Sequence, residues 1–157
     1  MPDYLAVFKS GMLTDVHNRY IAKELLALNE QTKRSGIVLS QKDCAEIAEC
    51  RSELLYENER IEVGAGAVKR IIEEFCDSGY VDQRTFKDTV QGLLDCFYAI
   101  KTETEDRADD ETVLEFLKYM FETEVGGDVA HIYASQSYDA FVSSYKNQAE
   151  KPKRDRY

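Results

Sequence analysis

Apolar residues recur at spacings of three and four positions along most of the chain, and this periodicity limits the fold more than any other feature. Residues so spaced share one face of an α-helix, whereas a half-buried strand alternates apolar and polar residues. The third of six such segments is the clearest, with Val68, Ile71, Ile72, Phe75 and Cys76. The pattern predicts an all-α fold of about six helices in one irregular or orthogonal bundle.

Capping signals predict where several of these helices begin and end. Ser40, with Asp43 three positions later, resembles a capping box at the start of the second helix. Asp109 or Asp110 is placed to accept backbone N–H groups at the start of the fifth. Gly36 favours the left-handed conformation that closes the first helical segment. The helices therefore have local signals that are independent of their apolar faces.

Two short segments depart from the helical pattern. Residues 37–39 read Ile-Val-Leu, and residues 60–63 alternate as Arg-Ile-Glu-Val. They could pair as a two-stranded β-ribbon (37–39 with 60–63), which would need helices to cover it. We expect residues 1–146 to form a single helical domain and residues 147–157, which are polar, to form a flexible tail.

Composition places the chain among soluble globular proteins. Hydrophobic residues make up 43% of its 157 residues, and no apolar run approaches the roughly 18 residues of a membrane span. The start carries no basic and apolar segment of a secretory signal, which favours a cytoplasmic location. The four cysteines match no metal-binding spacing, so they are predicted to be reduced core thiols. We expect no metal, no cofactor and no membrane contact.

Negative charge dominates, since 20 basic and 30 acidic residues give a net charge of −10. This sign opposes contact with a phosphate backbone, so direct nucleic-acid binding is not expected. Residues 102–128 alone hold ten acidic and two basic residues, a net charge of −8. One interpretation is an acidic mimic of nucleic acid, in which residues 102–128 occupy a basic groove on another protein.

A glycine-rich turn is a second candidate site. Gly64 and Gly66 precede a helix whose first turns carry Lys69 and Arg70. Backbone donors at a helix start can hold a phosphate, so this turn could bind a small phosphorylated ligand. The spacing matches neither a dinucleotide fingerprint nor a P-loop, and a tight turn explains both glycines without a ligand.

Arg51 is out of pattern, because it falls on the apolar stripe of the second helix. A guanidinium there must reach solvent or find a carboxylate, and Glu62 and Asp77 are the candidate partners. This favours a structural clamp over a ligand site. Only His17 and His131 could act as histidine bases, and no hydrolase or metal motif accompanies them. The sequence therefore favours a non-enzymatic role.

Five pieces of sequence together resemble an uncharacterised family of small helical proteins, a domain of unknown function carried mainly by anaerobic Gram-positive bacteria (Firmicutes). The pieces are Asn29-x-x-Thr32-x-x-x-Gly36-x-x-Leu39-Ser40, Arg60-x-Glu62-x-Gly64, Phe75-Cys76-Asp77-Ser78-Gly79-Tyr80, Phe97-Tyr98-x-x-Lys101 and Asp109-Asp110-Glu111. The similarity spans roughly residues 13–145. The resemblance implies no activity, cofactor or catalytic residue.

What the resemblance does imply is a polar cluster near the ribbon and the end of the third helix. With Arg51 added, its members are Arg51, Arg60, Glu62, Asp77, Ser78 and Tyr80. Binding groups are often carried on loops of a rigid scaffold. We therefore expect a non-catalytic cytoplasmic interaction or regulatory module with a protein partner. The ten tyrosines leave self-association as a further option.

Overall fold

The computed structural model describes the backbone of residues 12–154 and the side chains of residues 14–147. This part of the chain is all-helical, with six helices of ten or more residues, as the periodicity predicts. The helices are α1 (Met12–Ala27), α2 (Gln41–Glu57), α3 (Gly66–Phe75), α4 (Phe86–Glu103), α5 (Asp110–Tyr119) and α6 (Gln136–Arg154). Short helical turns cover Asn29–Thr32, Lys33–Ser35, Met120–Glu124 and Val129–His131.

The chain divides into two compact units, and the boundary between them lies inside α4. The first unit ends at Gln91 and the second begins at Gly92. In the first unit α1 packs along α2, and the turn Asn29–Thr32 contacts α3. The division into a domain ending at residue 146 and a tail from residue 147 stays a prediction; the backbone of α6 continues to Arg154.

The predicted capping signals are present at the helix ends. The Ser40 hydroxyl accepts the N–H of Asp43, and the Asp43 carboxylate accepts the N–H of Ser40, which completes the capping box. Asp109 caps α5 by accepting the N–H of Thr112 at 2.8 Å. Gly36 closes the first helical segment with a φ of 83°. These local signals therefore set the helix ends directly.

The predicted β-ribbon does not form, and residues 12–154 contain no strand. Ile37 and Leu39 point into the core, but side-chain amides satisfy the backbone of this segment. The Asn29 amide donates to the carbonyl of Leu39 at 2.8 Å and accepts its N–H at 2.9 Å. The Gln83 amide donates to the carbonyl of Val38 at 2.7 Å and accepts its N–H at 2.6 Å. An amide side chain has the donor and acceptor of a strand residue, so the extended segment needs no partner strand.

The four cysteines are free thiols with different surroundings. Cys44 and Cys96 are buried, whereas Cys50 and Cys76 are partly exposed. Burial raises the pKa of the Cys44 thiol to about 11 and that of the Cys96 thiol to about 12. The prediction of core thiols therefore holds fully for two of the four.

We expect iodoacetamide at pH 8 to label Cys50 and Cys76 well before Cys44 and Cys96 in the folded protein, because the thiolate is the reactive form. Peptide mass spectrometry over time measures the rates. Equal rates at all four positions would contradict the burial.

The same two thiols make stability pH-dependent. In the unfolded chain they ionise near 9.0, whereas in the fold they keep the proton to about 11 and about 12. Their stabilising contribution is therefore complete below pH 9 and is lost as the pH rises toward 12. Urea denaturation from pH 8 to 10 should show a smaller decline for Cys96→Ala than for the unmodified chain.

Candidate functional site

Among the described residues of the first unit, Arg51 is the most completely buried charged side chain, with an exposed fraction of 0%. It lies on the core face of α2, one turn from Ile47 and one turn from Leu55, which are both buried. Its Nη2 donates to the backbone carbonyl of Gly64 at 2.5 Å and to that of Glu62 at 3.3 Å. The same atom lies 3.3 Å from Oε1 of Glu62. Of the two carboxylates considered as its partner, Glu62 is the one that forms the ion pair.

Glu62 connects Arg51 to the start of α3. A Cβ atom placed on Gly66, the first residue of α3, would lie only 2.8 Å from Oε1 of Glu62. Gly66 also has a φ of 54°, which L side chains rarely adopt. The backbone conformation therefore favours glycine here, and a larger residue would also have to shift the Glu62 carboxylate. The carboxylate lies at the positive end of the α3 dipole, which favours a negative charge.

The pair is incompletely satisfied. Within the described part of the chain, Arg51 Nε and Glu62 Oε1 are buried without a hydrogen-bond partner. A buried polar atom left without a partner costs about 1–3 kcal/mol. Replacement of such pairs by apolar residues is often neutral or stabilising. The clamp is therefore better explained by the backbone geometry that it imposes on residues 62–64 than by its contribution to stability.

We call residues 59–65 the anchored loop, because Arg51 holds them from the core side. The loop turns back at Glu59, a non-glycine residue with a φ of 54°, and the N–H of Arg60 donates to the carbonyl of Leu55 at 2.8 Å. Glu62 points inward toward Arg51, whereas its two neighbours are exposed. Ile61 is 94% exposed and Val63 is 92% exposed.

These exposures correct the prediction of a covered ribbon at residues 60–63. Periodicity alone places Ile61 and Val63 on one side of the chain but does not say which side is buried. Arg51 decides this by taking Glu62 inward. Two aliphatic side chains, each more than nine-tenths exposed, therefore lie two positions apart on the anchored loop.

The rest of the polar cluster forms a turn after α3. Ser78 is buried, and its hydroxyl accepts the N–H of Tyr80 at 3.3 Å. Tyr80 is 53% exposed, Asp77 is exposed, and Arg60 is partly buried. Of the six residues expected to cluster, the described contacts join Arg51 to Glu62 and Ser78 to Tyr80.

The candidate phosphate turn has the backbone conformation of a tight glycine turn, but the Glu62 carboxylate lies where a phosphate would bind. Gly64 and Gly66 both have positive φ, of 104° and 54°. Lys69 is exposed, and Arg70 forms an ion pair along α3 with Glu74 at 2.7 Å. The Glu62 carboxylate already lies at the helix start. Its charge opposes a second anion, so this geometry favours a structural turn over a phosphate site.

The second unit has a buried cation that sequence reasoning missed. Lys101, on α4, donates to the carbonyl of Ala108 and pairs with Asp110, both at 2.8 Å, and its side chain is only 7% exposed. It closes a loop in which Glu105 and Asp106 both have positive φ, of 51° and 62°. A signal was available, since Lys101 follows the buried residue Phe97 by one helical turn, as Arg51 follows Ile47.

Most acidic side chains of residues 102–128 are engaged within the chain. Eight of the ten interact within the chain, and Glu111 is one of them. The other seven pair as follows: Glu103 with Tyr138, Glu105 with Arg107, Asp106 and Asp110 with Lys101, Asp109 with the N–H of Thr112, Glu124 with Ser137, and Asp128 with His131. The bond from Thr112 lowers the pKa of Asp109. The acidic run therefore has a structural role in capping helices and holding loops.

Two further properties of the described range bear on function. None of its helices combines the length and the apolar character that a membrane span requires. Its His, Cys, Asp and Glu side chains form no group of three or more that could hold a metal ion.

A family model described as a family of unknown function (DUF6323) matches residues 24–151. The chain belongs to this family. The match covers most of the segment in which the sequence pieces resemble a domain of unknown function. No curated protein and no solved structure matches the chain. Membership therefore adds no activity to what the geometry supports.

Replacing Arg51 tests the clamp. We expect Arg51→Met to lower the free energy of unfolding of the first unit by about 3 kcal/mol, because it leaves the Glu62 carboxylate without its partner. Arg51→Met combined with Glu62→Gln should recover about 1 kcal/mol of that loss, since the uncompensated charge is then removed. Urea denaturation followed by circular dichroism measures both. A loss below about 0.5 kcal/mol for Arg51→Met, the size of an ordinary surface substitution, would contradict the clamp.

Proposed function

We propose that this protein is a non-catalytic interaction module that docks a partner protein through the anchored loop. The observation that carries the proposal is the contrast within residues 61–63. Two aliphatic side chains are exposed by more than nine-tenths, while the residue between them is held by a buried arginine. The loop thus presents apolar anchors at fixed positions.

The energetics of association support this role. Binding costs the ordering of interface side chains and loops, so a loop that is fixed in advance loses less on association. Valine and isoleucine have few rotamers and add little to that cost. Transfer of each from water into an apolar pocket contributes about 1.5–3 kcal/mol. Two such anchors together contribute about 3–6 kcal/mol, and contacts around the anchored loop must supply the rest of the binding free energy.

The location we propose is the cytoplasm. Four free thiols in one chain support a reducing compartment, because disulfides persist mainly in oxidising ones. The net charge of −10 supports a protein partner over a nucleic acid.

The two alternative functions have weaker support. An acidic mimic of nucleic acid needs an open array of charges, but most acids of residues 102–128 have partners within the chain. A phosphorylated ligand at the Gly64–Arg70 turn would have to displace the Glu62 carboxylate from the start of α3.

The test is the double variant Ile61→Ser/Val63→Ser. Its matched control is Val16→Ser/Val38→Ser, because those valines are 51% and 52% exposed and lie outside the loop. Partners are captured from lysate of the source cells and quantified by mass spectrometry. We expect the loop variant to capture at least about tenfold less partner than the unmodified chain. A tenfold change in affinity corresponds to about 1.4 kcal/mol of binding free energy.

The control variant should capture as much partner as the unmodified chain, and all three proteins should have the same melting temperature. Retention of every partner by the loop variant, or equal loss in the control, would contradict docking through the anchored loop. Light scattering on the same samples identifies the case in which the partner is a second copy of the chain.

A further inference from the structure

An antiparallel pair of helices in the second unit carries a stack of aromatic rings. Phe116 on α5 stacks on Phe141 of α6, with ring centroids 4.1 Å apart and an interplanar angle of 13°. Tyr145 continues the row at 5.2 Å from Phe141. Past the end of α5, Glu124 of the turn Met120–Glu124 accepts a hydrogen bond from Ser137, near the start of α6, at 2.7 Å. All three rings are only partly buried, so the row is open to solvent along one side.

Two exposed residues of α5 lie one position before and three positions after Phe116. Tyr119 is 55% exposed, and Glu115, four positions earlier, is also exposed. Residues four positions apart lie on the same face of a helix. Among the described side chains, Glu115 forms no ion pair and the Tyr119 hydroxyl forms no hydrogen bond. We call this surface the aromatic–acidic face, which consists of Glu115, Phe116, Tyr119, Phe141 and Tyr145.

The chemistry of this face indicates a cationic partner. The faces of aromatic rings carry partial negative charge and attract guanidinium and ammonium groups. Glu115 adds a full negative charge on the same helix, and the contacts within the chain leave this charge unpaired among the described side chains. Arginine fits best, because its planar guanidinium can stack on a ring and bind a carboxylate together.

We propose that the aromatic–acidic face binds an arginine-rich segment of a partner protein. This proposal differs from nucleic-acid mimicry, because the exposed rings contribute to it as much as the charge does. It uses none of the residues of the anchored loop, so the two proposals stand independently. A second copy of the chain fits the face less well, since two surfaces of the same negative charge repel each other.

The test measures fluorescence anisotropy with a labelled dodecapeptide of alternating arginine and glycine, at 50 and 300 mM salt. A lysine–glycine peptide of equal charge is the second probe. Glu115→Gln/Tyr119→Ser removes one charge and one ring from the face. Its matched control is Glu53→Gln/Tyr56→Ser on α2, where the tyrosine is 57% exposed and the glutamate is exposed.

We expect saturable binding of the arginine peptide, weaker binding of the lysine peptide, and about a tenfold higher Kd for the Glu115→Gln/Tyr119→Ser variant. The control should change the Kd by less than about twofold. Phe141→Leu keeps an apolar side chain but removes the central ring, and it should also weaken the arginine peptide more than the lysine peptide.

Three results would overturn the proposal. The first is no saturable binding of either peptide. The second is an equal loss in the face variant and in the control, which would indicate attraction by net charge alone. The third is equal affinity for the arginine and lysine peptides, together with no change in either affinity on Phe141→Leu substitution.

Discussion

The need to satisfy one buried guanidinium governs the structure of the first unit. Arg51 lies in an apolar core, where an uncompensated charge is costly, so nearby chain must supply acceptors. The carbonyls of residues 62 and 64 supply them, and the carboxylate of Glu62 supplies the opposite charge. This requirement fixes the path between α2 and α3, directs Glu62 to the start of α3, and favours glycine at position 66. Ile61 and Val63, on either side of Glu62, are left exposed.

The second unit solves a similar problem with a lysine. Lys101 lies near the end of α4, and the loop that follows the same helix folds back to give it the carbonyl of Ala108 and the carboxylate of Asp110. In both units a cation on the apolar stripe of a helix holds the connection to the next helix. Such a contact adds little stability by itself, but it selects one loop conformation among many. This selection is valuable in a protein that works by presenting a surface.

Contacts between residues close in sequence could be predicted, whereas contacts between distant residues could not. Helices and their caps depend on residues close in sequence, which is why Ser40, Asp109 and Gly36 could be interpreted correctly. The prediction of a β-ribbon was wrong, because apolar alternation does not reveal which groups complete the backbone hydrogen bonds. Asn29 and Gln83 do this through their side chains, across 10 and 45 positions. Arg51 could be identified as unusual from its place on a stripe, but the outward turn of Ile61 and Val63 depends on a contact 11 positions away.

The net charge of a segment does not show how many of its carboxylates can contact a partner. The −8 of residues 102–128 suggests an open acidic array, yet Asp109 caps a helix and Asp110 and Asp106 neutralise Lys101. A carboxylate that is committed to its own chain offers a partner little, because the partner must first replace that internal contact. Recognition by a partner therefore depends on the carboxylates that have no partner within the chain. These include Glu115, which shares α5 with aromatic rings that the fold covers only in part.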